Sequence, residues 1–246
     1  MRRTLFLATL AAIAVPGLAA AQHADGAGRV RVGLNGGIQA SDSAVHQAFT
    51  VQKNLEGTPI TADVVLKRAR LVDAGVVVRL KGYLGVGVAV SYATHDVSTD
   101  VAAEIPHPFF FSQPRRVTGA ASANRTETAT HIDAVWMVPA RAVDVLVSAG
   151  PSLFNVTQTL VADVLYSDKY PYDVASFVSA STTTVRQTAA GFHLGADVTL
   201  KIAAHVGVGA LVRFSRASAV VVAGTGKTLT VDLGGVQAVG GLRIRF

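Results

Sequence analysis

The chain ends Gly240-Gly241-Leu242-Arg243-Ile244-Arg245-Phe246, an alternating segment that stops on an aromatic residue. Counted back from the end, Phe246, Ile244, Leu242, Gly240 and Ala238 share one face. Arg245, Arg243, Gly241, Val239 and Gln237 share the other, because side chains on a strand alternate with period 2. One face is apolar and the other carries two arginines, so the strand suits an apolar medium outside and a polar one inside. The same logic governs the whole chain. Half of the 246 residues are hydrophobic and 15% are charged. Beyond the N-terminal region no helix-length stretch is uniformly apolar. The longest uncharged one there, Val145 to Ala162, contains Pro151, Asn155 and Gln158. Apolar residues dispersed at period 2 are what a closed β-barrel needs to cross a bilayer with every backbone group paired.

Eight alternating segments can be read. Arg29 to Ala40 places Val30, Val32, Leu34 and Ile38 outward and Arg31 inward. Arg70 to Leu80 places Asp73 and Arg79 inward. Leu84 to about Asp96 follows after the turn Lys81-Gly82-Tyr83. About Arg125 to Val138 places Ile132, Ala134, Trp136 and Val138 outward and Glu127, His131 and Asp133 inward. The fifth runs from about Val143 to Thr159, with a bulge expected at Pro151. Arg186 to Leu200 turns His193 and Asp197 inward, His205 to Ser218 turns Arg213 inward, and Thr228 to Phe246 closes the set. The expectation is an all-β, transmembrane, antiparallel up-and-down barrel of eight strands. Ten is the alternative, because Phe49 to Leu66 could also pair. A soluble sandwich is the competing reading of alternation alone.

The N terminus has the layout of an export signal. Met1-Arg2-Arg3 is basic, Leu5 to Leu18 is mostly apolar, and Ala19-Ala20-Ala21 offers a cleavage site. Residues 1–21 are therefore read as a signal peptide and 22–246 as one barrel domain. Connections of a few residues alternate with connections expected to be about 25 residues long, the asymmetry of outer-membrane barrels. Tyr83, Trp136 and Phe246 would form one aromatic girdle, and Tyr92 and Phe214 the other.

On these grounds the chain resembles the small bacterial outer-membrane β-barrel proteins, of the eight-stranded kind typified by outer membrane proteins A and X. Leu242, Ile244 and Phe246 look like the C-terminal signature that the barrel assembly machinery reads. Ile105-Pro106-His107-Pro108-Phe109-Phe110-Phe111 and Tyr170-Pro171-Tyr172-Asp173 look like loops of uncharacterised members. The resemblance implies a bacterial outer-membrane location and periplasmic chaperones as partners, with outer-membrane lipids and lipopolysaccharide around the barrel.

Two regions are candidates for function. Arg31, Asp73, Arg79, Glu127, His131, Asp133, His193, Asp197, Arg213, Arg243 and Arg245 would line the bore. There they would pair as a rigid plug or line an ion path. Phe109, Phe110, Phe111, Arg115, Arg116, Tyr170 and Tyr172 would form an external aromatic and basic surface suited to binding. The extracellular ligand is left open.

Several motifs point nowhere. Gly224-Thr225-Gly226-Lys227-Thr228 lacks the earlier glycine of a phosphate loop, since position 221 is Val221. Basic residues are scattered, so the charge of +6 does not suggest nucleic acid. Seven histidines without metal spacing and no cysteine suggest neither a metal nor a cofactor. The expected role is non-enzymatic: structural, adhesive or surface-binding. The alternatives are a narrow porin-like channel and, further off, a lipid-modifying enzyme built on His131, Asp133 and nearby serines.

Overall fold

The computed structural model describes residues 29–41, 44–66, 68–139, 142–222 and 228–246. The expected signal peptide, the Ala140-Arg141 turn and Gly224 to Lys227 of the glycine-rich motif lie outside the described residues. Ten strands are present: β1 Val30–Ala40, β2 Ala44–Lys53, β3 Glu56–Leu66, β4 Ala69–Lys81, β5 Leu84–Pro106, β6 Pro114–Pro139, β7 Val143–Asp168, β8 Ala175–Lys201, β9 Val206–Val222 and β10 Thr228–Arg245.

Eight of them close into an antiparallel ring. β1 pairs with β10 and β4, the wall continues β10-β9-β8-β7-β6, and β5 joins β6 back to β4. β2 and β3 are continuations rather than extra staves. β3 takes up the pairing with β5 at Leu66↔Val97, just beyond Arg70↔Thr94 of β4. The eight-strand reading therefore holds for the ring, and the Phe49 to Leu66 segment pairs as well, as a hairpin above it. The first and last strands meet in the same wall, with Val30 N–H donating to the Phe246 carbonyl at 3.2 Å and Phe246 N–H to that of Val30 at 2.9 Å.

Two expectations are corrected. The connections expected to be about 25 residues long are mostly strand: β5 and β6 are separated only by residues 107–113, and β7 and β8 only by 169–174. The strands continue because their outward positions change chemistry without leaving the sheet. On β6 they are Thr118, Ser122, Asn124, Thr126, Thr128 and Thr130 before Ile132, Ala134, Trp136 and Val138. Thr and Ser keep the backbone extended, while the alternation inverts and hides the strand from a search for apolar outward residues. The second correction is Pro151, where no bulge occurs. The β7–β8 register runs unbroken from Val143↔Leu200 to Val161↔Thr182, and the irregularities fall at Val161/Asp163 and Leu165/Tyr166. Proline removes one ladder donor there without displacing the strand.

The inversion divides the molecule in two. Along β5, Leu84, Val86, Val88, Val90 and Tyr92 point outward and are exposed, and from Thr94 onward the outward positions include Ser98, Asp100 and Glu104. The inward positions change the other way, from Ser91 and His95 to Val101, Ala103 and Ile105. β8 repeats it: Thr182, Thr184, Arg186 and Thr188 outward give way to Ala190, Phe192, Leu194, Ala196, Val198 and Leu200. An apolar exterior of about 9–11 residues per strand is the height of a hydrocarbon core. Tyr83 stacks on Trp136 at one border, with ring centroids 6.2 Å apart, and Phe192 meets Phe214 nearer the other.

Above this belt the wall splits. β6 pairs with β7 only from Arg125↔Gln158 downward, and β8 with β9 only from Gly191↔Ala217. The four strands β2-β3-β5-β6 and the β7–β8 ribbon then face each other over an apolar core of Phe49, Ile60, Val101, Ile105, Val161 and Val164, with Tyr166 and Phe177 against it. A second core continues downward through Phe154, Val156, Leu160, Val231 and Leu233. The top of the barrel is thus filled with hydrocarbon side chains, as in a small sandwich.

Candidate functional site: the bore and the distal tip

Inside the belt the alternation delivers polar side chains to a space that eight strands nearly fill. They form tiers. At the end carrying the short turns, Asp144 of β7 gathers Arg31 of β1 at 3.3 Å, Arg245 of β10 at 3.0 Å and Lys201 of β8 at 2.7 Å. Above it, Asp197 of β8 is gripped by Arg243 through both Nε and Nη2. Arg243 also donates to Asn35 at 2.5 Å. Asn35 donates to Asp73 at 2.8 Å, and Asp73 accepts from Arg213 at 2.7 Å. A cavity of about 60 Å³ lies among Arg31, Asn35, Asp73, Asp133 and Arg213, room for a few waters. The top tier joins Arg125 to Glu127 at 2.6 Å, with Gln39 and Gln237 bonded to each other at 2.9 Å. Gly234, at φ 86°, turns its N–H to Glu127 at 3.1 Å and its carbonyl to Gln39.

Between these tiers a hydrogen-bonded chain crosses the wall. Asp133 Oδ1 lies 2.8 Å from His193 Nε2. His193 Nδ1 lies 2.9 Å from Ser152 Oγ. Ser152 Oγ lies 2.8 Å from His131 Nδ1, and His131 Nε2 lies 3.2 Å from Ser91 Oγ. Ser152, His193 and Asp133 have the connectivity of a nucleophile, base and orienting acid. All three are buried at 6% exposure or less, and Phe154 stacks edge-on to His131 from the apolar core above. The chain lies in the barrel interior and links β5, β6, β7 and β8 through their side chains.

The structure turns all eleven bore candidates of the sequence reading inward and brings most of them into this network. Arg79 sits lower, its buried Nε without a hydrogen-bond partner among the described residues. Asp144, Lys201, Arg125, Asn35, Gln39 and Gln237 also belong to the network; parity already turned Asn35, Gln39 and Gln237 inward, but none of the six was counted as a site candidate. Inward parity marks each of them. Asp144 and Lys201 sit at strand ends, where the alternation is too short to read. The polar amides carry no charge to draw attention.

At the other extreme, beyond the apolar core, lies the tip. Phe109 and Phe111 are 71% exposed and Tyr170 is 86% exposed. Phe109 packs on Tyr172 with centroids 5.5 Å apart, and Tyr172 on Tyr170 at 6.1 Å. The β5–β6 turn is held beneath by His107, whose buried Nδ1 accepts N–H groups of Phe109 at 3.1 Å and Phe110 at 3.2 Å. Arg115 is buried and bonds to Asp168 at 2.8 Å and to the carbonyls of Tyr172 and Pro106, so it braces the tip from inside. Arg116 points outward opposite Glu104.

An eight-stranded ring with a polar interior, an apolar exterior and aromatic borders has the architecture of a small transmembrane β-barrel. Among solved structures, the chain is similar in fold to the outer membrane protein OprG from Pseudomonas aeruginosa, at 11% identity over 89% of this chain and 96% of that one, with a TM-score of 0.54. Neisserial surface protein A, NspA, aligns over 90% of this chain and all of its own at 15% identity, with a TM-score of 0.41. No family model and no curated relative matches.

Proposed function

We propose that this is an integral protein of a bacterial outer membrane, with its bore closed and a rigid β-structured extension carrying an aromatic contact surface away from the bilayer. The observation that carries this reading is the inversion along the strands. Charges pair inside where the exterior is apolar, and apolar cores fill the interior where the exterior is polar. Ion pairs filling one half and apolar cores filling the other support a structural, adhesive or surface-binding role over a passive channel. Exposed Phe109, Phe110, Phe111, Tyr170 and Leu55 at the far end supply large apolar area on short, well-supported turns, the composition of a binding surface.

Two measurements test the reading. Single-channel recording of the refolded barrel, after heat-modifiable gel migration shows it folded, is expected to give no steady conductance. Steady conductance altered by Arg213→Ala would assign a pore instead. Cells displaying the protein are expected to adhere to hexadecane droplets, and Phe109, Phe110 and Phe111 all changed to Ser should abolish the gain. Equal adhesion by both would remove the tip from the proposal.

A further inference from the structure

Among the described side chains, the end of the barrel that carries the short turns holds more cations than carboxylates. Arg31 and Arg245 are direct cross-strand partners on β1 and β10, both turned inward. Like charges placed directly opposite repel. Both reach the same oxygen, Asp144 Oδ2, while Lys201 reaches Asp144 Oδ1. The next carboxylate, Asp197, is already held by two donors of Arg243 and lies 3.7 Å from Arg31 Nη1, without a hydrogen bond to it. Among the described side chains, two carboxylates thus face Arg31, Arg243, Arg245 and Lys201, and Arg79 adds another cation on the neighbouring strand β4.

The donor side is equally unbalanced. Among the described residues, Arg31 Nη1, Arg245 Nε, Arg245 Nη2 and Arg79 Nε are buried nitrogen atoms without a hydrogen-bond acceptor. The Arg31 side chain is 9% exposed and that of Arg245 11%. Buried guanidinium N–H groups left without partners carry a cost, and an anion with several oxygens removes both the charge excess and the orphaned donors at once. Phosphate has that shape: its tetrahedral oxygens accept from forked guanidinium groups and a lysine together.

We propose that this mouth is an anion-binding site for a phosphate group, held by Arg31, Arg245 and Lys201 with Arg79 at its edge. The negative charge of Asp144 keeps the cations together and weakens rather than abolishes the attraction. Two sources offer the group: a soluble phosphate compound, or the headgroup of a phospholipid in the leaflet beside the short turns.

The test is thermal unfolding of the detergent-refolded barrel, followed by the fluorescence of Trp136, in sodium phosphate and in sodium chloride at matched ionic strength. Phosphate is expected to raise Tm saturably by about 5 °C at a hundredfold excess over its Kd, with chloride giving no such plateau. The double variant R31Q/R245Q should lose the rise, and R216Q, which removes an exterior arginine, should keep it. If the double variant does not fold, R79Q should reduce the apparent affinity severalfold. Dihexanoyl phosphatidic acid forms the second arm. A plateau with phosphate alone assigns a soluble ligand, and a plateau only with the lipid assigns a headgroup. Equal Tm in phosphate, lipid and chloride would overturn the site, as would a phosphate rise that survives in R31Q/R245Q.

Discussion

Removing Arg213 is the sharpest test of whether the bore is a packed plug. Arg213 and Asp73 are each 3% exposed and meet at 2.7 Å, and the other oxygen of Asp73 accepts from Asn35 at 2.8 Å. At an effective dielectric of about 20, unit charges this close attract by about 6 kcal/mol. The substitution Arg213→Met deletes that attraction and leaves Asp73 buried with one partner. The cavity of about 60 Å³ beside it admits water to the vacated oxygen. The loss should therefore fall at the low end of the range for a broken buried pair, about 3 kcal/mol. Asp73→Asn should cost about the same. The double variant removes both charges and should cost no more than either single change, a coupling of about 3 kcal/mol. Urea unfolding of the barrel in lipid bilayers, followed by Trp136, measures all three. Single losses below about 1 kcal/mol that simply add would show a hydrated, screened interior and refute the plug.

Three further outcomes follow from the same geometry. Val88→Arg, on the outward face inside the apolar belt, should cost about 2–4 kcal/mol in bilayers. Ser98→Arg, on the same face of β5 above the belt, should change stability by less than about 0.5 kcal/mol; equal effects would move the belt. A methyl group on Gly241 would collide with the Leu34 backbone carbonyl, while one on Gly36 would meet nothing within 4 Å. Gly241→Ala should therefore destabilise by about 2 kcal/mol or more and Gly36→Ala hardly at all, read by the midpoint of heat-modifiable migration. Phe154→Ala, 1% exposed between the histidine strut and the apolar core, should lose about 3–5 kcal/mol in urea unfolding, and a loss under about 1 kcal/mol would show that the core is not packed there.

The lower half of this fold was readable from sequence because one rule applies to every stave there. Lipid demands an apolar residue at every second position, so Leu84 to Tyr92, Ile132 to Val138 and Ala190 to Leu200 declare their facing directly. The inward arginines and carboxylates follow by parity. Which of them pair does not follow, because the partners lie 46 to 140 residues apart and depend on shear around the ring, as in Arg243 with Asp197 and Arg213 with Asp73. The Asp133–His193–Ser152–His131–Ser91 chain was legible only in part: His131 and Asp133 could be grouped with nearby serines, but its order could not, since it takes a residue or two from each of four strands.

The upper half was misread because its physical rule is the opposite one. Once the exterior faces water, the pattern reads Thr, Ser and Asn outside with Val117, Ala121 and Ala123 inside on β6, and Thr182, Thr184, Arg186 and Thr188 outside on β8. That is an ordinary soluble sheet joined in register to a membrane one. The join has a consequence for function. Continuing the same strands with inverted chemistry places Phe49, Ile60, Ile105 and Val164 over the axis of the extension and Phe154 and Leu160 beneath them. The change of solvent along each strand therefore puts an apolar core above the polar bore and builds the support on which the Phe109–Phe111 turn is held.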